Sequence, residues 1–162
     1  MKVHLQKSNL MQLDTDIYNV LLDAKKGGHK LLKHFKIYYP EKINISMVNA
    51  IYVGRLETNL VENEYVTFDT TEWNVNIEIV ITTKDNPKLE RRKLLKSASV
   101  AVKNVLHNSG LDLKVKSIIF EYDNTNVIQQ CRIVIEGSEY DLYGDDKEYL
   151  HICNILEETD VI

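Results

Sequence analysis

What this sequence lacks narrows its class before any motif is sought. Its 162 residues hold two prolines and six glycines, which excludes collagen-like, mucin-like and low-complexity chains. The two cysteines, Cys131 and Cys153, exclude a disulfide scaffold and have no metal-like spacing. Cys131 sits in an alternating apolar pattern and reads as a small buried hydrophobe. No apolar run approaches the ~18 residues of a membrane span. The opening stretch, MKVHLQKSNLMQLDTD, has no continuous apolar core of the signal-peptide kind, so the expectation is synthesis in a reducing interior without export. The phosphate-loop, dinucleotide-loop, nucleophile-elbow, zinc-protease and paired-cysteine signatures are all missing. His29 and His34 lie five apart among lysines with no carboxylate on their face, and His4, His107 and His151 stand alone. No metal or cofactor site is expected, and no catalytic residue is named.

What is present is a regular alternation of helix and strand patterns. In DTDIYNVLLDAKK, Ile17, Val20, Leu21 and Ala24 share a helical face, with Asp14 or Thr15 placed to cap it and Gly27-Gly28 to end it. HKLLKHFKIYY adds a turn or two of helix before Pro40. Three strands are expected next, over residues 43–56, 62–69 and 73–83. The last is the clearest: Trp73, Val75, Ile77, Ile79 and Ile81 alternate with Asn74, Asn76, Glu78, Val80 and Thr82, giving one dry and one wet face. Asn86 and Pro87 suit the cap and first position of a long helix, which carries Leu94, Leu95, Ala98, Ala101, Val102, Val105 and Leu106 on one side and closes at Gly110. A hairpin, LKVKSIIFEYD and NVIQQCRIVIEG, follows. Tyr149, Ile152, Cys153 and Leu156 then recur at helical spacing in an acidic C-terminal extension, 144–162. The reading is a single α+β domain, order α-β-β-β-α-β-β plus a C-terminal element, with a mostly antiparallel sheet and helices on one face.

Charge is unevenly spread. The first 36 residues hold seven lysines and three aspartates, and Lys88, Arg91, Arg92, Lys93 and Lys96 crowd the start of the long helix against Glu90. From Glu136 onward there are nine acids and one lysine. Such blocks read either as solvated faces or, more sharply, as an acidic side that meets the basic side of the next copy head to tail.

Two functional classes compete with a purely structural one. The element order matches the core of many metal-dependent nucleases, with Asp69 as a first acid, but Glu78 is followed by Ile79 and Val80 where an acid-x-lysine is needed, and Asp112-Leu113-Lys114 falls in another element. Lys88, Arg91 and Arg92 have the spacing for phosphate contacts, yet net charge is −4 and no aromatic platform accompanies them.

The layout resembles the tail terminator (tail-completion) family of long-tailed bacteriophages, the lambda minor tail protein U-like proteins. An N-terminal helix precedes AIYVGRLETN; LVENEYVTFD follows, then the long strand WNVNIEIVITTKDNP, the helix KLERRKLLKSASVAVKNVLHNSG and the hairpin KVKSIIFEYDNTNVIQQCRIVIEG. The resemblance covers roughly residues 14 to 143, and the acidic extension departs from it. It implies a non-enzymatic virion protein of the tail and neck. Its copies form a ring, in that family of six, that ends the tail tube and meets the head connector; nucleic acid only passes through. The partners implied are further copies, the tube protein and the connector protein. A different neck or tail-joining protein of similar fold stays open beside it. On this reading Lys88, Arg91 and Arg92 are interface candidates, and Glu136, Glu139 and Asp141 their acceptors.

Overall fold

A computed structural model describes residues 8–9, 12–39, 49–60, 70–84, 87–122, 129–142 and 147–160. The elements in order are β1 (Ser8–Asn9), α1 (Leu13–Lys26), a 3₁₀ turn (Leu32–His34), β2 (Lys36–Tyr38), β3 (Ala50–Leu60), β4 (Thr70–Thr82), α2 (Arg91–His107), β5 (Leu113–Tyr122), β6 (Gln129–Leu142) and α3 (Lys147–Asp160). The fold is α+β, as the periodicities lead one to expect.

β4 is the centre of the sheet because both its edges are taken, by β3 and by β6, in antiparallel ladders. The strand order is β1-β6-β4-β3-β2. The far edge of β6 is shared: β5 pairs with its residues Gln129 to Gly137, and β1 lies parallel to Glu139 and Tyr140. α1 and α2 pack on the face carrying the odd-numbered residues of β4. There Val75, Ile77, Ile79 and Ile81 meet Ile51 and Val53 of β3, Cys131, Ile133 and Ile135 of β6, and Ile17, Leu21, Leu95, Ala98 and Val102 of the helices. Each large side chain sealed there stabilises the fold by roughly 1.5–3 kcal/mol. The dry face read in the sequence is this core.

Several boundaries differ from the sequence reading, each for a physical reason. The helix expected to continue after Gly28 gives way to a 3₁₀ turn and then to β2, which pairs in parallel with β3. His29 Nδ1 accepts the N–H groups of Leu31 (3.2 Å) and Leu32 (3.1 Å), so this histidine caps the turn. α1 is not capped by Asp14 or Thr15. Its N-cap position is Gln12, without a side-chain cap, and the Leu13 N–H is taken by Glu139 from across the fold. α2 begins at Arg91 after an extended Glu90 (φ −72°, ψ 124°), four residues later than Pro87; Asn86 lies outside the described residues. β6 runs to Leu142, five residues beyond the expected end. The strand expected over 62–69 lies wholly outside the described residues, as do residues 43–48.

Gly137 of β6 marks where α1 presses closest to the sheet. A Cβ there would sit 2.5 Å from Leu13 Cδ2 and 3.1 Å from Leu113 Cδ2. Gly137→Val is expected to cost about 1–3 kcal/mol through overpacking, read as a lowered urea midpoint at unchanged slope.

Candidate functional site

The side chains with chemistry fall into three places: a buried ion cluster below α1, the open face of the sheet, and the two ends of the sheet.

The buried cluster is built by a bulge. Register shifts between Arg55 and Glu57, so Leu56 is extra and exposed, Arg55 stays on the helix face and Glu57 turns to the other. Arg55 then meets Glu139 in a two-pronged pair, with Nη1 to Oε1 at 2.7 Å and Nη2 to Oε2 at 2.6 Å. Nη2 also reaches Asp14 Oδ1 at 3.0 Å, and Nη1 donates to Thr58 Oγ1 at 2.9 Å. Glu139 Oε2 accepts the Leu13 N–H at 2.7 Å. Burial pulls the Arg55 pKa down, but the carboxylates of Glu139 and Asp14 more than reverse this and hold it above its ordinary value. Glu139 is wholly buried. It was expected to be an exposed acceptor for a neighbour's cation; the structure gives it an internal one. Sequence reasoning missed the pairing because the partners are 84 residues apart.

The open face of β4 is laced by cross-strand pairs. Asn74 Nδ2 donates to Glu136 Oε1 at 2.7 Å, and Lys116 Nζ lies 3.0 Å from Glu136 Oε2. Lys116 and Asn74 hold the Glu136 carboxyl below the usual carboxylate range. Arg132 pairs with Glu78 and, at 3.6 Å, with Glu121. Glu136, the second expected acceptor, is thus already ion-paired within its own chain. Toward the Thr82 end the same face turns apolar: Ala50, Tyr52 and Val80 are buried, and Tyr38 stacks on Tyr52 with ring centroids 5.4 Å apart.

The ends of the sheet carry opposite charge. Thr70 of β4 pairs with Leu142, and Thr82 pairs with Ala50 and Gln130. Thirteen residues separate these ends, roughly 40 Å of strand. Lys88 and Arg92 lie exposed just past the Thr82 end, at the start of α2; Arg91 opens that helix, and its side chain is outside the described set. Asp141 lies at the other end, opposite Thr71, its side chain likewise undescribed. So the expected cations and Asp141 sit at opposite poles, Glu139 is buried near the Leu142 end, and Glu136 lies midway, opposite Asn76. A groove of about 590 Å³ opens at the cationic pole between Leu31, Phe35, Asn49, Lys84, Leu89 and Leu94. A second, of about 540 Å³, lies between the last turns of α2 and β5.

Among the described residues, no group of three or more His, Cys, Asp or Glu is placed to hold a metal ion. Asp69 lies outside them. Among them, too, no helix is long and apolar enough to cross a membrane. No protein-family model and no curated protein matches the sequence.

Two outcomes test this geometry. Glu139→Ala is expected to cost about 3–5 kcal/mol by removing the two-pronged partner of Arg55 and the acceptor of the Leu13 N–H, whereas Arg55→Met combined with Glu139→Leu is expected to cost less than the single change; urea unfolding measures both. Burial pushes the Cys131 thiol up to about 11, so Ellman's reagent at neutral pH is expected to leave Cys131 unmodified until the chain unfolds.

Proposed function

We propose that this protein is a structural subunit of a phage tail, one that assembles head to tail into a ring closing the end of the tail tube and joining it to the head connector. The observation that carries the reading is charge polarity along the sheet. Cations gather past the Thr82 end and acids follow in the sequence from the Leu142 end, and a heterologous contact between such poles is the kind from which rings are built. The order of elements from α1 through the β5–β6 hairpin supports it, since it follows the layout that the resemblance implies. The polar open face of β4, with Asn74, Asn76 and Glu78, is then a ring-lining or ring-contact surface.

Reversing the cationic pole tests this reading. Arg91→Glu with Arg92→Glu is expected to weaken self-association roughly tenfold or more while the monomer stays folded, since surface charges steer and register association more than they stabilise a chain. Light scattering over a concentration series, with negative-stain images of the wild-type protein, reads the outcome. Unchanged ring formation by the reversed variant overturns the charge contact.

A further inference from the structure

Among the described elements, α3 (Lys147–Asp160) has no extensive packing partner. Leu150, Ile152, Ile155 and Leu156 are each exposed by 45–56%. Ile155, Ile152, Leu156 and Cys153 share an arc of roughly 160°, with Leu150 beyond it across Glu157. A helix apolar over so wide an arc is one that something covers.

Charge indicates what covers it. The last turn of α3 carries Glu157 and Glu158 and no cation. Acids at a helix C-terminus oppose the helix dipole. α2 has the reverse conflict, with Arg91, Arg92 and Lys93 in a first turn that holds no acid, although Lys93 lies 3.7 Å from the exposed Glu90 just before it. Beside that turn lies the apolar groove of Leu31, Phe35, Leu89 and Leu94, rimmed by Lys84, and Leu89 is half exposed within it. The acidic end of α3 and the cationic end of α2 complement each other in residue charge and in dipole.

Distance decides whose groove it is. From Leu142 the chain reaches Lys147 in five steps, at most about 18 Å, and α3 itself is about 21 Å long. Leu156, about 14 Å along the helix, therefore comes to its own groove, which Asn49 and Lys84 anchor roughly 40 Å away at the far end of β4, only with tether and helix stretched out in one line, whereas the groove of a second copy needs no such extension. The other groove is within reach of its own α3, because Leu113 in its wall pairs with Gly137, five residues from Leu142. Lys103, His107 and Lys114 line it, but it lies at the C-terminal end of α2, so the helix dipole there opposes acids where the dipole at the start of α2 favours them.

We propose that α3 docks in the groove at the start of α2 of a second copy, its apolar stripe on Leu89 and Leu94 and its Glu157 and Glu158 against Arg92 and Lys93. This rests on the ring reading and names the contact that would build the ring. Because donor and acceptor surfaces differ, each copy gives one contact and receives one.

The test uses the full chain with Leu89→Cys and the native Cys153, under mild oxidation, on a non-reducing gel. A ladder of covalent multimers is expected, abolished by Cys153→Ser. Leu156→Asp is expected to weaken self-association roughly a hundredfold without lowering the monomer's melting temperature. Glu157→Lys with Glu158→Lys weakens it roughly tenfold, and adding Arg92→Glu with Lys93→Glu to that chain restores it. The proposal is overturned, with the ring reading left standing, if wild-type rings form but no cross-link between copies appears, or if Leu156→Asp still makes rings. It is equally overturned by a cross-link within one chain between Cys153 and Val115→Cys in the other groove. A wild-type protein that stays monomeric at every concentration removes both readings together.

Discussion

The ion pair between Arg55 and Glu139 holds three otherwise separate decisions of this fold. It fixes the bulge in β3, since Arg55 reaches the helix face only because Leu56 is looped out. It secures the extra length of β6, because Glu139 lies beyond the hairpin with β5. It also seats the start of α1, whose Leu13 N–H is accepted by the same carboxylate. An ion pair taken out of water returns little net stability unless its remaining hydrogen-bonding capacity is filled. Here Asp14, Thr58 and a backbone amide fill most of it. Its contribution is therefore to register: the strands and helix can meet in few other ways without leaving a buried charge unpaired.

That constraint positions the poles. With α1 starting at Glu139 and running toward Leu32, and α2 returning beside it, the turn regions at Gly27–Phe35 and Pro87–Glu90 come together at the Thr82 end of the sheet. The first holds Lys30 and Lys33, and the second holds Lys88 and leads into Arg91, Arg92 and Lys93. The opposite end is left to β1, the last residues of β6 and the acidic α3. Polarity that looks in the sequence like blocks along a line becomes, once the chain is folded, a gradient along one axis about as long as β4.

How much of this could be read beforehand follows from the range of each interaction. β4, α2 and the β5–β6 hairpin were legible because their signals are local: alternation from Trp73 to Ile81, helical spacing from Leu94 to Leu106, and short-range pairing of neighbouring strands. β2 was not. Three residues cannot show a period, and the segment is a strand only because β3 offers it an edge. The cap of α1 was misjudged for a similar reason. Asp14 and Thr15 are good capping residues, but a carboxylate from another element satisfied the helix start first. The interface candidates were chosen by charge alone. Charge says nothing about burial, so Glu139 entered the list beside Lys88, while Glu157 and Glu158 were passed over. The apolar stripe of α3 was visible at Ile152, Cys153 and Leu156, but its lack of an extensive packing partner among the described elements was not, since that is a property of the whole fold.

The dipoles of the three helices bear on why the charges lie where they do. α1 obeys its dipole: Asp14 and Asp16 open it, and Lys25 and Lys26 close it. If helix stability governed charge placement, α2 would also begin with acids and α3 would end with cations. Both do the opposite. Because α1 and α2 run antiparallel, obeying the dipole in one and violating it in the other puts cations from both at the same end of the sheet. Lys103 and His107, near the close of α2, are the residues that follow the dipole against this trend. Each misplaced terminal charge costs a helix about 0.3–1 kcal/mol, so the pattern has a standing cost in the isolated chain. Such a cost is offset when a dipole of opposite sense and side chains of opposite charge are brought against each helix end. A second molecule brings α3 to the start of α2 without stretching the tether to its full length, which the chain's own α3 would have to do.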